Sequence, residues 1–173
     1  MPSIHVCALS KVAQTVRATG ARSLVSMMHQ TKDVVRPAEI APQRHLFVGV
    51  SDILAPQDGF VLANTAHVSA LLTFMRQWDR HHPLVIHCFA GVSRSTAAAF
   101  IAACALLEPA SEAALAQKIR ALSPTATPNV RLVSLADGIL QRGGRMIDAV
   151  AAIGRGADCH EGVPFALELA QLA

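Results

Sequence analysis

Residues 84–107 read LVIHCFAGVSRSTAAAFIAACALL, and this stretch decides how the chain folds. Residues 84–87 form a short apolar run that is typical of a buried strand. From residue 94 to residue 107 the pattern is helical and apolar on nearly all sides, which predicts a helix in the interior of a domain. Glu108 and Pro109 are expected to stop that helix. The stretch therefore predicts a strand, a short loop that starts at Cys88, and a buried helix.

The same alternation continues on both sides of this stretch. Strands are also predicted at residues 4–8, 23–28 and 45–50. Helices are predicted at residues 10–19, 111–122 and 129–140, and from Pro164 to the end. A further helix carries the apolar stripe of residues 68–78 and ends at residues 80–83, and a short one follows Gly143 and Gly144 and runs to Ile153. Residues 51–64 and 154–162 are predicted loops. Alternating strands and helices predict one α/β domain over residues 1–173, with a central, mostly parallel sheet of about four to five strands flanked by helices.

Bulk composition favours a soluble globular protein. The chain has 173 residues, of which 52% are hydrophobic and 16% charged. The longest uncharged apolar stretch, residues 95–107, is well short of the ~20 residues that span a bilayer. The N-terminus lacks the pattern of a signal peptide. The net charge of +3 comes without a run of Lys or Arg, so neither a membrane nor a nucleic acid is predicted as a partner.

The chain has four cysteines, Cys7, Cys88, Cys104 and Cys159. Their separations fit neither a zinc motif nor a dense disulfide framework, which predicts free thiols and a cytoplasmic location. Cys104 falls in the buried helix and is interpreted as a small core side chain. No metal site and no cofactor are predicted, and the oligomeric state stays open.

The loop between Cys88 and Arg94 has the properties of an anion site. Five residues separate the two, and a loop of that length can curl so that its backbone N–H groups point inward. Gly91 gives the curl its backbone freedom, and the following helix N-terminus adds a partial positive charge. The guanidinium of Arg94 fits two phosphate oxygens at once. The predicted phosphate-binding residues are Phe89, Ala90, Gly91, Val92, Ser93 and Arg94.

The same surroundings act on the thiol of Cys88. Helix N-termini and nearby cations favour the thiolate form of a cysteine. We therefore expect Cys88 to be a thiolate at neutral pH that attacks phosphorus and forms a phosphocysteine intermediate. Ser95 could donate a hydrogen bond to the sulfur as it leaves. His87 is expected to orient the loop, because its side chain points to the other side of the strand.

This loop resembles the signature of the cysteine-dependent protein tyrosine phosphatases, His-Cys-x-x-Gly-x-x-Arg-Ser/Thr. Its fixed positions correspond to His87, Cys88, Gly91, Arg94 and Ser95. The resemblance extends less specifically over residues 45–140, where the chain is similar to the compact dual-specificity phosphatases. It implies a phosphatase-like fold, with Cys88 as nucleophile, Arg94 as phosphate clamp and Ser95 as stabiliser of the thiolate. The implied partner is a phosphorylated protein or a small phosphate monoester.

The resemblance also implies a general acid on a loop some thirty-odd positions before the cysteine. Two carboxylates, Asp52 and Asp58, lie in that region. Asp52 directly follows the predicted strand at residues 45–50, where the acid of the family falls. We therefore predict Asp52 as the acid, with Asp58 as the second candidate.

Other functions stay open at this point. Cys88 could be a buried structural thiol, since free cysteine is among the most buried residue types. Sulfurtransferases and one type of arsenate reductase use cysteine-containing anion loops of similar design. A catalytically silent phosphate- or phosphopeptide-binding domain is the non-enzyme alternative. The sequence does not decide between phosphotyrosine, phosphoserine or phosphothreonine, and small-molecule substrates.

Overall fold

The computed structural model describes residues 3–107 and 111–171. Within these ranges five strands form one sheet: β1 (Ser3–Ala8), β2 (Ser23–Met28), β3 (His45–Gly49), β4 (Leu84–Cys88) and β5 (Phe165–Glu168). Their spatial order is β3-β2-β4-β1-β5, and all neighbours are parallel except β5, which is antiparallel to β1. The predicted mostly parallel sheet is confirmed. Strand β4 lies at its centre, so Cys88 lies at the carboxyl end of the central strand, where ligands bind in such sheets.

Helices cover both faces of the sheet. In the described part of the chain they are α1 (Val12–Thr19), α2 (Thr65–Gln77), α3 (Arg94–Leu106), α4 (Glu112–Leu122), α5 (Val130–Ile139) and α6 (Arg145–Ile153). Helix α1 packs on one face through Val12 and Val16, in a small apolar cluster with Leu24 and Val85. Buried residues of α2 to α6 form the larger core on the other face. The predicted α/β class is confirmed.

Helix α3 is the central helix of the larger core. All of its residues from Arg94 to Cys104 are buried. Its six alanines favour the helix and let neighbouring elements approach closely on every side. The predicted interior helix and the core position of Cys104 are confirmed. Glu108 and Pro109, the expected stop, lie outside the described residues.

The helix ends follow local sequence signals. Gly20 closes α1 in the left-handed conformation, with φ at 68°. The Ser111 side chain accepts a hydrogen bond from the amide of Ala114 at the start of α4. The Asn129 side chain accepts from Arg131 and Leu132 at the start of α5. These three predicted boundaries are confirmed, because each depends on residues within one turn of the boundary.

The predicted terminal helix from Pro164 is wrong. Residues Phe165–Glu168 form β5, followed by a short 3-10 turn at Leu169–Gln171. Phe165 and Leu167 are buried, whereas Ala166 and Glu168 are half-buried, a period of two that belongs to a strand. The free edge of β1 accepts this strand, and that edge is not visible in the local sequence.

Asp137, in α5, is not the solvated surface carboxylate that an aspartate in a helix usually is. Its side chain is buried. Oδ1 accepts from the amide of Gly144 at 2.8 Å, and Oδ2 accepts from the amide of Met146 at 3.0 Å. The carboxylate thereby caps the N-terminus of α6, where negative charge is favourable. No helix within residues 3–107 and 111–171 is long and apolar enough to cross a membrane.

Candidate active site

The sulfur of Cys88 lies buried at the end of β4 and contacts two polar groups. Its Sγ is 3.1 Å from the hydroxyl oxygen of Ser95, in the first turn of α3. The backbone N–H of Gly91 donates to the same sulfur at 3.3 Å. Ser95 and Gly91 are therefore placed to donate hydrogen bonds to negative charge that develops on the sulfur, where such bonds are strongest.

The loop around this sulfur turns its carbonyl groups outward. Four carbonyls accept hydrogen bonds from surrounding backbone amides. The pairs are Phe89 with Leu9 (3.1 Å), Ala90 with Gly162 (2.8 Å), Val92 with Thr127 (2.9 Å) and Ser93 with Asn129 (3.2 Å). A trans peptide points its N–H opposite to its C=O, so the N–H groups of residues 90, 91, 93 and 94 face the inside of the loop. This is the geometry of an anion-binding nest.

Gly91 is required at its position by contact and by conformation. Its φ is 72°, in the left-handed region that L side chains rarely adopt. A Cβ there would lie 2.7 Å from the nitrogen of Ala8 and 2.8 Å from the carbonyl carbon of Cys7. Any other residue would push the loop away from the end of β1. The loop therefore depends on the neighbouring strand as well as on its own sequence.

Arg94 begins α3 and is 8% exposed. One of its terminal nitrogens, Nη1, donates to the carbonyl of Val50 at 3.0 Å, just after β3. Its buried Nε has no hydrogen-bond partner among the described residues. Buried donors are normally paired. The guanidinium is therefore held from one end and keeps donors available for a ligand in the loop.

Asp52 lies at the rim of the loop. Its Oδ1 accepts from the Ser93 hydroxyl at 2.7 Å and from Nδ2 of Asn129 at 2.8 Å. The segment that follows β3 is thereby attached to the Cys88 loop and to the start of α5. Asp58 is an exposed turn residue farther along that segment. In the described residues, no hydrogen bond joins Asp58 to the Cys88 loop. The structure thus brings Asp52, and not Asp58, into contact with the loop.

His87 lies on the side of β4 away from the sulfur and is fully buried. Its Nδ1 is 3.3 Å from the carbonyl oxygen of Cys88, and its Nε2 is 2.7 Å from the hydroxyl of Ser26. The same hydroxyl is 2.8 Å from Nε2 of His45. The Cys88 carbonyl can only accept, so Nδ1 of neutral His87 carries the hydrogen and Nε2 accepts from Ser26. Ser26 must then accept from His45, which makes a directed chain that ends on the Cys88 backbone.

Comparisons with known proteins agree with this geometry. Residues 51–123, less than half of the chain, match the protein-tyrosine phosphatase family. Human DUSP28 is 20% identical, with 81% of this chain and 94% of that chain covered and a TM-score of 0.61. DUSP15 is 15% identical, with 88% of this chain and 91% of that chain covered and a TM-score of 0.65. A mouse putative dual specificity phosphatase, solved with zinc tungstate, is 20% identical, with 80% of each chain covered and a TM-score of 0.58.

The fold is that of the compact dual-specificity phosphatases, and residues 51–123 resemble the protein-tyrosine phosphatase family. The resemblance found in the sequence is thereby confirmed. At these identities the solved structures show a common fold. A comparison with curated protein sequences found no significant match.

Several contacts of this site were not predicted from the sequence. The sequence predicts at Asn129 only the start of a helix, yet its Nδ2 also donates to Asp52. Ser26 was assigned to a buried strand, where nothing marked it as the partner of His87. Gly162 was assigned to a loop of no stated function, although its amide holds the Ala90 carbonyl. A polar residue in a buried strand, such as Ser26, is the one signal that could have been noticed.

His87 should make the stability of this protein depend on pH. Burial lowers the pKa of the His87 imidazole from 6.5 to about 4. As the pH falls from 6.5 to 4, the unfolded chain gains a proton that the folded chain does not, so stability is lost across that window. The full loss amounts to about 3 kcal/mol.

We expect His87→Gln to remove this part of the pH dependence. Urea unfolding of both proteins at several pH values between 7.5 and 4.5 measures it. His5, whose pKa is also lowered by burial, contributes equally in both proteins and cancels in the difference. Equal slopes of unfolding free energy against pH in the two proteins would show that His87 is not the group responsible.

Proposed function

We propose that this domain hydrolyses phosphate monoesters through a phosphocysteine intermediate on Cys88. The observation that carries the proposal is the position of a buried sulfur at the base of a loop whose amides face inward. Such a loop provides donors for the oxygens of a phosphoryl group directly above the nucleophile. Ser95 and Arg94 complete the arrangement from the first turn of α3.

Substrate binding uses charges and donors that are already in place. The inward amides and the N-terminus of α3 favour a dianionic phosphate. Arg94 can donate to two phosphate oxygens at once, since its guanidinium is planar and its hydrogen bond to Val50 uses one of its nitrogens. Fixed donors of this kind act most strongly on charge that develops as the reaction proceeds.

In the first step the Cys88 sulfur attacks phosphorus. A sulfur–phosphorus bond forms, the ester oxygen–phosphorus bond breaks, and the leaving oxygen needs a proton. Asp52, in its protonated form, supplies that proton. Its Oδ1 is occupied by Ser93 and Asn129, which leaves Oδ2 to carry the proton toward the open side. The products of this step are the free alcohol and the phosphorylated cysteine.

In the second step water attacks the phosphocysteine. Asp52, now a carboxylate, accepts a proton from that water as the oxygen–phosphorus bond forms. The sulfur–phosphorus bond breaks, and the sulfur leaves as a thiolate. Ser95 and the Gly91 amide donate to it, which makes it a better leaving group. Inorganic phosphate is released and the site returns to its starting form.

The test is phosphate release from a panel of substrates. We expect the purified protein to release phosphate from phosphotyrosine peptides, phosphoserine peptides, phosphoinositides or an aryl phosphate, with vanadate as inhibitor. The order of rates within the panel identifies the substrate class. Binding of vanadate or tungstate without phosphate release from any of them would instead support a silent phosphate-binding domain.

A further inference from the structure

Residues 154–164, between α6 and β5, form a C-terminal strap that passes behind the Cys88 loop. The strap amide of Gly162 donates to the outward carbonyl of Ala90 at 2.8 Å. These residues lie outside the stretch that matches the phosphatase family, which ends at residue 123.

The contact at Gly162 leaves no room for a side chain. Gly162 is buried, and a Cβ on it would lie 2.7 Å from the carbonyl oxygen of Gly91 and 3.1 Å from Cγ2 of Val92. Its φ lies outside the left-handed region, so an alanine would be tolerated by the backbone itself. What requires glycine here is the close approach to the Cys88 loop.

The strap is held on both sides of this contact. Arg120 donates to the carbonyls of Ile153 at 2.6 Å and Gly154 at 2.8 Å. The amide of Gly156 donates to the hydroxyl of Thr127, and Ser10 donates to the carboxylate of Glu161 at 2.6 Å. Pairing of β5 with β1 holds the far end. The strap is thus fixed independently of the Cys88 loop and can act as its support.

One peptide unit connects the strap to the nucleophile. The carbonyl of the Ala90–Gly91 peptide accepts from Gly162, and the N–H of the same peptide donates to the Cys88 sulfur. Because the unit is planar, its orientation at the carbonyl fixes the direction of the N–H. The strap also borders a cavity of about 260 Å³ beside Asp52 and Ser93, which Arg155 and Cys159 line as well.

We propose that the C-terminal strap is a working part of the oxyanion site, and that Gly162 is a positioning residue that acts through the Ala90–Gly91 peptide. Through its hydrogen bond to the Ala90 carbonyl, Gly162 orients the Gly91 N–H toward the sulfur and toward any oxyanion bound above it. This inference rests on the proposed function only in so far as Gly162 contributes to turnover. Its effects on the thiol and on oxyanion binding are independent of catalysis.

The test compares Gly162→Ala with Gly156→Ala. Gly156 is a matched control, because a Cβ there would lie 2.6 Å from the carbonyl carbon of Thr125 and 2.7 Å from the carbonyl oxygen of Ala126. Both variants strain the strap against backbone, but only Gly162→Ala places its Cβ against the Cys88 loop itself, whereas Gly156→Ala presses on residues 125 and 126 beside it. The readouts are the melting temperature, the rate of iodoacetamide alkylation of the Cys88 peptide, and vanadate affinity.

We expect both variants to melt at lower temperature than the wild type. Only Gly162→Ala should slow Cys88 alkylation and weaken vanadate binding, each by roughly ten- to hundredfold, as for the loss of one hydrogen bond to a charged group. Equal changes in the two variants would overturn the proposal. These readouts stay valid if no phosphatase activity is found, so failure of the proposed function is seen separately.

The wild type gives a second test that does not depend on a folded variant. Hydrogen exchange of the strap peptide, residues 154–164, is measured with and without vanadate. Coupling between two sites is reciprocal, so an oxyanion in the Cys88 loop should slow exchange in the strap as well as in the loop. Slower exchange in residues 88–94 with unchanged exchange in the strap would contradict the proposal, as would exchange unchanged in both.

Discussion

Cys88→Ser is expected to lower phosphate release by more than about 10⁴-fold while the loop still binds an oxyanion, because the nucleophile is removed and the donors are kept. A serine hydroxyl fits the space of the thiol but is a far weaker nucleophile at neutral pH. Steady-state turnover of an aryl phosphate measures the first effect, and binding of tungstate, an oxyanion that needs no bond to the sulfur, measures the second. Retained turnover in Cys88→Ser would show that another group attacks phosphorus.

The control for this variant is Cys104→Ala, in the interior of α3. Burial raises the pKa of the Cys104 thiol to about 12, so it is a neutral, unreactive group at pH 7. Burial likewise raises the pKa of Cys7 to about 11. Cys104→Ala should lower stability through the lost packing and leave turnover of the folded protein unchanged. A loss of turnover in both variants would point to damage of the fold.

Asp52→Asn is expected to lower turnover of an aryl phosphate by ~10²–10⁴-fold, the usual contribution of a general acid. Asparagine keeps an oxygen that can accept from Ser93 and Asn129 but has no acidic proton to give. The loss should be larger for an alkyl phosphate, because its leaving oxygen is more basic and needs the proton more.

Asp58→Asn is the matched control, since it removes a carboxylate from the same loop at an exposed position. We expect it to change turnover by less than about twofold, as surface substitutions usually have small effects. A large loss in Asp58→Asn with normal turnover in Asp52→Asn would reverse the assignment of the acid.

Most of the fold could be predicted because its signals are local. The helix that starts at Ser111 and the one capped by Asn129 depend on residues within one turn. The strand before Cys88 and the alanine-rich helix after it are adjacent in the sequence. β5 could not be predicted, because its pairing depends on the free edge of β1, which is more than a hundred residues away in the chain.

The site could be predicted only in part, for a similar reason. Cys88, Gly91 and Arg94 share one loop with fixed spacing, so the sequence indicates them together. The contacts of Asp52 with Asn129 and of Ala90 with Gly162 join residues 77 and 72 positions apart, and no spacing indicates them. Ser26 and His87 are also joined only by the lateral pairing of β2 and β4.

The central claim, a phosphocysteine on Cys88, is tested most directly by trapping the intermediate. The protein is mixed with an aryl phosphate, quenched in acid during turnover, and digested for peptide mass spectrometry. The account predicts the added mass of one phosphoryl group on the peptide that contains Cys88, and no such mass in Cys88→Ser. Phosphate release without phosphorylated Cys88, or a phosphoryl group on another residue, would contradict it.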